Sequence, residues 1–262
     1  MNILITGAAS GIGNAVKNFY LSQGHNVYAI DVQKIEEEDR LNCFVCDITN
    51  KDDLLHVKED LENNNISLDI ILNIAGIHMM ASLVESNFDK MKKLIDINLS
   101  GTILVNNVFH SLLKEKGRII IVTSEVASFD PMPFNGLYNV SKTALDCYAQ
   151  ALRQEINLIG QKVITIRPGA VETPLSDGSL KGTEELANNT VLYKKQASKF
   201  LGIVKKFMGK PIKAEKLAKL IYKASIKKRP KLIYKKHRNI GLVLLSILPK
   251  RMQCWIIKLL LK

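Results

Sequence analysis

Cysteine, tryptophan, glycine and proline are all scarce in this chain: 4, 1, 15 and 7 residues of 262. Four cysteines (Cys43, Cys46, Cys147 and Cys254) in a chain of this length do not form the disulfide framework of a small secreted domain. Cys43-x-x-Cys46 falls in an apolar, strand-like run whose positions three apart face opposite sides, so neither redox nor zinc chemistry is expected of it. There is no second Cys-x-x-Cys and no His pair at ligand spacing, so no metal site is expected. Low glycine and proline exclude collagen-like and low-complexity chains, and 47% hydrophobic with 24% charged residues fits a globular one. Long apolar runs are missing too. Residues 240–248 are nearly all apolar but stop at Pro249, short of the roughly 20 residues that span a bilayer. The first residues, Met1-Asn2-Ile3-Leu4-Ile5-Thr6-Gly7, lack a basic flank and a cleavable apolar region, and a cytoplasmic product is expected.

The C-terminal quarter lacks acid. Residues 1–189 hold 16 Lys+Arg against 24 Asp+Glu, whereas residues 190–262 hold 21 Lys+Arg against Glu215 alone. The net charge of +12 therefore describes an acidic body with a basic tail.

Short runs rich in Ile and Val recur at 2–6, 26–30, 43–46, 68–74, 118–123 and 162–166. Helical periodicity fills the intervals, notably at 94–113 and 137–159. Alternating strands and helices predict an α/β fold: a parallel, doubly wound sheet between two helical layers, its strands buried on both faces. Residues 176–189 turn polar and read as a loop.

The first run passes into Gly7-Ala8-Ala9-Ser10-Gly11-Ile12-Gly13 as a helix begins. Glycines let the chain turn tightly beside a pyrophosphate, and the helix N-terminus offers N–H groups to the anion. An ordinary strand-to-helix turn would read similarly, but the strand before and helix after are the context a dinucleotide cradle needs. Asp31 closes the second run, 18 residues past Gly13. An acid there can bond the adenosine ribose and would repel a 2′-phosphate, so NAD is expected over NADP. Tyr138 and Lys142 lie one helical turn apart on a shared face. A phenol with a pKa of about 10 needs such a cation to exchange protons near neutrality.

Together these residues resemble the short-chain dehydrogenases/reductases. Thr6-Gly7-x-x-x-Gly11-Ile12-Gly13 is similar to the family's cofactor motif, and Tyr138-x-x-x-Lys142 to its catalytic motif. Ser124 follows the fifth run as the family's catalytic serine does, and Asn98 resembles the asparagine that completes the tetrad. Asp47-Ile48 resembles the segment near the adenine, and the stretch holding Pro168, Gly169, Val171 and Thr173 resembles the one facing the nicotinamide. Two departures stand out. Asn73-Ile74-Ala75-Gly76 replaces the usual Asn-Asn-Ala-Gly, leaving Asn73, Ala75 and Gly76 as cofactor residues without the second asparagine. Ser124 precedes Tyr138 by 14 residues where 13 is common, although Thr123 and Ser128, nearby, are read as structural.

The resemblance implies a Rossmann-like fold and an NAD(P)-dependent oxidoreductase that interconverts a secondary alcohol and a ketone. In that reading Tyr138 transfers the proton, Ser124 bonds the substrate oxygen, Lys142 lowers the phenol pKa and holds the nicotinamide ribose, and Asn98 anchors a water. It also implies a homo-oligomer through the helices around 98–115 and 137–160. Reduction of a carrier-bound acyl chain, and a non-catalytic cofactor-binding scaffold, are the alternatives.

Residues 1–236 form the expected catalytic domain and 237–262 a basic, amphipathic helical extension. Similar tails occur in hydroxysteroid- and retinol-dehydrogenase-like members, which implies a lipophilic substrate. The tail suits an anionic membrane surface, a cover over the substrate pocket or a subunit interface. It lacks spaced exposed aromatics, so no nucleic-acid partner is expected. Residues 176–210 and 240–262, which would shape the substrate, carry no readable motif.

Overall fold

In the computed structural model, which describes residues 1–207 and 211–262, side-chain alternation along each strand sets the layering. Along β1 (Asn2–Thr6), Ile3 and Ile5 enter one core and Leu4 the other. β2 (Asn26–Asp31) and β4 (Leu68–Asn73) divide the same way, with Val27, Ala29, Ile70 and Leu72 against Tyr28, Ile30 and Ile71. Between them come α1 (Gly11–Ser22), β3 (Leu41–Val45) and α2 (Lys51–Asn63). Next follow α3 (Phe88–Ile95), a π-helical turn (Asp96–Gly101), α4 (Thr102–Phe109) and β5 (Leu113–Val122). A 3-10 turn (Glu125–Ser128) leads to α5 (Gly136–Asn157), β6 (Lys162–Pro168), α6 (Pro174–Asn189) and α7 (Lys194–Phe207). The chain closes with α8 (Ala214–Ile226), β7 (Ile233–Lys236), α9 (Ile240–Ile247) and α10 (Lys250–Leu261).

The seven strands form one parallel sheet in the order β3-β2-β1-β4-β5-β6-β7. One face is covered by α1 and α8 through Val16, Tyr20, Leu217 and Ile221. The other is covered by α2, α4 and α5 through Leu54, Leu61, Val105, Phe109 and Leu145. Each such Leu, Ile or Phe contributes about 1.5–3 kcal/mol relative to exposure, so both helical layers are held by the sheet rather than by their own propensity. The fold is the expected Rossmann-like three-layer α/β sandwich.

Three local expectations need correction. Residues 176–189 are not a loop but most of α6, because Thr173 and Ser176 form a reciprocal capping box with Pro174 in the first turn, which outweighs Gly178 and Gly182. Residues 94–113 are not one helix, since the π-helical turn at Asn98 interrupts it. β3 is not buried on both faces, for it is a sheet edge with Asn42 and Val45 exposed; Cys43 and Cys46 do enter opposite cores. Residues 208–210, within the stretch expected to shape the substrate, lie outside the described residues.

Candidate active site

β1 and β4 run side by side, which brings the Gly-rich turn against the chain leaving β4. Thr6 Oγ1 accepts from Ile74 N at 3.2 Å and Ala75 N at 3.3 Å, pinning the two strand exits together. Gly7, at φ +71°, lies so close to Ala75 that a Cβ would sit 2.7 Å from the Ala75 Cα. A Cβ on Gly13 would sit 1.8 Å from the Gly7 carbonyl oxygen, so only glycine lets α1 start directly under the turn. Ser10 is the N-cap of α1 and makes no side-chain capping bond, while Ile12 packs against the core. Gly11 rests against the Thr173 side chain, placing the N-terminus of α6 beside the cradle.

Asp31 helps to build this turn. Its Oδ2 accepts from Ala9 N at 2.9 Å and its Oδ1 from Gln33 N at 3.0 Å. Asp47 is exposed and accepts from Thr49, whereas the Ile48 side chain is buried in the core beside Gly101. Any Ile48 contact with a cofactor therefore falls to its backbone. Asn73 is buried, with its Nδ2 donating to Asn106 Oδ1 at 2.9 Å and its Oδ1 without a partner among the described residues. Pro168 ends β6, Gly169 N donates to Lys236 O at 2.8 Å, and Val171 bridges to Ile212, so the segment is clamped from both sides.

The second half of the site is built on α5. Tyr138 and Lys142 are both buried, and the Lys142 Nζ lies 5.8 Å from the Tyr138 ring centroid. Burial pushes the Tyr138 phenol up to about 12, opposed by its hydrogen bond with Ser124. Burial pulls the Lys142 ammonium down to about 8. Ser124 caps the 3-10 turn, accepting from Val126 N at 3.4 Å. Ser128 instead donates to Glu125 O, and Thr123 to Ile166 O. Asn139 fastens that turn to α5, its Nδ2 donating to Val126 O at 2.8 Å and Phe129 O at 3.2 Å. The distance from Ser124 to Tyr138 is thus fixed by a bolt one residue from the tyrosine.

Asn98 is fully buried in the π-helical turn. Its Oδ1 accepts from Ile77 N at 2.8 Å, and its Nδ2 donates to Ile77 O at 2.9 Å and Ser141 Oγ at 3.1 Å. With its amide so engaged, the side chain clamps the backbone after Gly76 to α5. A Cβ on Gly76 would meet Asn98 Oδ1 at 3.0 Å and Lys142 Nζ at 3.3 Å, so glycine is what lets these side chains meet there.

Sequence reasoning missed His78 and Asn139. The His78 ring lies 4.4 Å from the Tyr138 ring, and its Nε2 is 3.0 Å from Asn135 Oδ1. Burial, with the Lys142 charge adding to it, lowers its pKa to about 4 despite the Asn135 bond, so the imidazole is neutral. A carbonyl oxygen only accepts, so Nε2 holds the proton, and the buried Nδ1, without a partner among the described residues, presents a lone pair. No motif marks either residue, because each is defined by a partner 10 to 57 residues away.

Phe134, two residues before α5, and Met80, two residues after His78, pack with Ala197, Phe200, Ile257 and Leu261, so α7 and α10 share an apolar cluster with the segments that lead to the site. Among the described residues no three His, Cys, Asp or Glu converge on a metal position.

The residues fit a nicotinamide dinucleotide: a glycine cradle too tight for any Cβ, an N-cap hydroxyl without a capping bond, and a buried lysine against a tyrosine. The family model of the short chain dehydrogenases matches residues 1–183, and the chain belongs to this family of NAD(P)-dependent oxidoreductases. It is 33% identical over 201 residues to the NADPH-dependent 1-acyldihydroxyacetone phosphate reductase of Schizosaccharomyces pombe, covering 73% of this chain and 67% of the relative. It is 26% identical over 229 residues to the 3-ketodihydrosphingosine reductase of Bacteroides thetaiotaomicron, covering 87% and 84%. Among solved structures, a short chain dehydrogenase family protein of Francisella tularensis superposes with a TM-score of 0.73 at 25% identity, covering 89% of this chain and 96% of that one.

Proposed function

We propose that the protein reduces the ketone of a lipophilic, chain-bearing substrate to a secondary alcohol. The observation that carries this reading is the buried Ser124–Tyr138–Lys142 group, with a phenol held protonated beside a lysine cation. The nicotinamide cofactor, when bound, supplies the hydride. The Gly7–Gly11 turn and Ser10 would hold its phosphates, with Gly13 letting α1 start close beneath them, and Lys142 would hold its ribose. Charge then develops on the substrate oxygen, where Ser124 and Tyr138 both donate hydrogen bonds. Tyr138 gives up its proton, and the Lys142 cation stabilises the phenolate left behind. Asn98 and Asn139 position these groups.

Two observations support a lipophilic substrate. The cluster that α7 and α10 form with Met80 and Phe134, near His78 and the start of α5 in the chain, is apolar. The two named relatives are reductases of 1-acyldihydroxyacetone phosphate and of 3-ketodihydrosphingosine, each a lipid ketone. Association into a homo-oligomer through α4 and α5, which expose Ile103 and Val140, belongs to the same proposal.

Asp31 favours NAD, because its carboxylate would face a 2′-phosphate with like charge. The Schizosaccharomyces relative, named as NADPH-dependent, points the other way. Titration with NADH and NADPH separates them. Wild type should bind NADH more tightly, and Asp31→Asn, which keeps an acceptor for Ala9 N, should gain about tenfold in NADPH affinity. Tighter NADPH binding by wild type would assign the relative's cofactor. The reaction is tested by kcat/KM on ketones of increasing chain length, which should rise with each methylene added. Failure to reduce any of them with cofactor bound would overturn it.

A further inference from the structure

α9 is an almost wholly apolar helix in which no residue is buried. Ile240, Leu244 and Ile247, spaced four and three apart, share one face and are 74%, 62% and 73% exposed. α10 divides lengthwise. Leu261 and Ile257 pack into the apolar cluster with Phe134 and Phe200, while Met252, Trp255 and Leu259 form a second, exposed stripe. Along the edge of that stripe stand Arg251, Lys258 and Lys262, all exposed. Among the described residues these three join no ion pair, and only Lys205–Glu184 and Lys250–Asp130 link residues 190–262 to the acidic body.

We infer that α9 and α10 dock the protein on the surface of an anionic lipid bilayer, with their exposed apolar stripes in the headgroup–acyl boundary and the flanking cations on lipid headgroups. Charge decides between occupants. A second copy would bring another tail with 21 Lys+Arg and one Glu against the first, opposing contact, whereas an anionic leaflet attracts both. Nucleic acid would match the charge but leave a row of Ile and Leu side chains, which do not stack on bases, facing polar groups. Among the described residues no helix is long and apolar enough to cross a membrane, which fits helices that lie on one. This inference does not depend on the proposed reaction.

Trp255 is the chain's single tryptophan, so the full-length protein carries its own reporter. Its emission is followed during titration with vesicles of phosphatidylglycerol and phosphatidylcholine, with pure phosphatidylcholine, and with a duplex oligonucleotide. A blue shift with the anionic vesicles is expected, with affinity about tenfold or more above that for neutral ones. The variant Ile240→Ser/Leu244→Ser/Ile247→Ser should bind about tenfold more weakly, and Arg251→Glu/Lys258→Glu/Lys262→Glu should lose the preference for anionic lipid. Both should keep wild-type nicotinamide binding, which shows that they are folded. No vesicle binding by wild type, or serine variants that bind as wild type does, would overturn the inference. So would oligonucleotide binding without vesicle binding, or sedimentation showing a dimer that the serine substitutions dissociate.

Discussion

Residues 1–173 and 174–262 are held together by different forces. In the first region, polar side chains bridge distant elements. Thr6 pins β1 to the exit of β4, Asn98 clamps Ile77 to α5, and Asn139 bolts the Ser124 turn to Tyr138. In the second, apolar contact dominates. α8 packs on α1, and α7 meets α10 around Phe134 and Phe200. Besides the β6–β7 ladder and the Tyr20–Ser225 bond, its polar ties to the body include three carboxylates: Glu85 accepts from Thr190 and Val191, Glu125 from Asn239, and Asp130 from Gln253. The lesson is that a reaction is specified by residue identity at fixed spacing. A substrate surface or a docking face is specified by shape and hydrophobicity, which many sequences satisfy.

The comparison breaks most severely in the cradle. Gly13→Val should abolish measurable cofactor binding, a loss of about a hundredfold or more by fluorescence titration, because its Cβ would overlap the Gly7 carbonyl. Next comes Lys142. A cation with a pKa of about 8 is present below that pH and lost above it, so kcat/KM for reduction should fall as pH rises through about 8. Lys142→Met should lie about a hundredfold lower and lack that fall.

Asn139→Ala should have a middling effect. It leaves two backbone carbonyls without their side-chain donor, at roughly 1–3 kcal/mol each where buried. A lower melting temperature and a roughly tenfold lower kcat at nearly unchanged KM should follow, since it positions Ser124 in the reaction rather than binding substrate. The smallest effect belongs to the tail. The serine substitutions at Ile240, Leu244 and Ile247 should change turnover of a short, soluble ketone by no more than about twofold, because single exposed positions contribute little to folding.

Legibility followed the same division. The parallel sheet and its two helical layers were readable because Ile- and Val-rich runs alternate with helical periods. The Gly7–Gly13 turn and the Tyr138/Lys142 pair were readable because their spacing is local. α6 was missed because Gly178 and Gly182 look like loop, although Thr173, Pro174 and Ser176 formed a readable start signal. Asn98 was found, but the clamp its amide makes was not legible, since only its partners Ile77 and Ser141 reveal it. The tie between Glu125 and Asn239 spans 114 residues and has no sequence signature.

Transfer of the proton by Tyr138 is tested most directly by measuring reduction and cofactor binding together in wild type and Tyr138→Phe at neutral pH. Turnover should fall by about a thousandfold or more while the cofactor dissociation constant stays within about threefold. Turnover within about tenfold of wild type, or a loss of cofactor binding that accounts for the fall, would contradict this role for Tyr138.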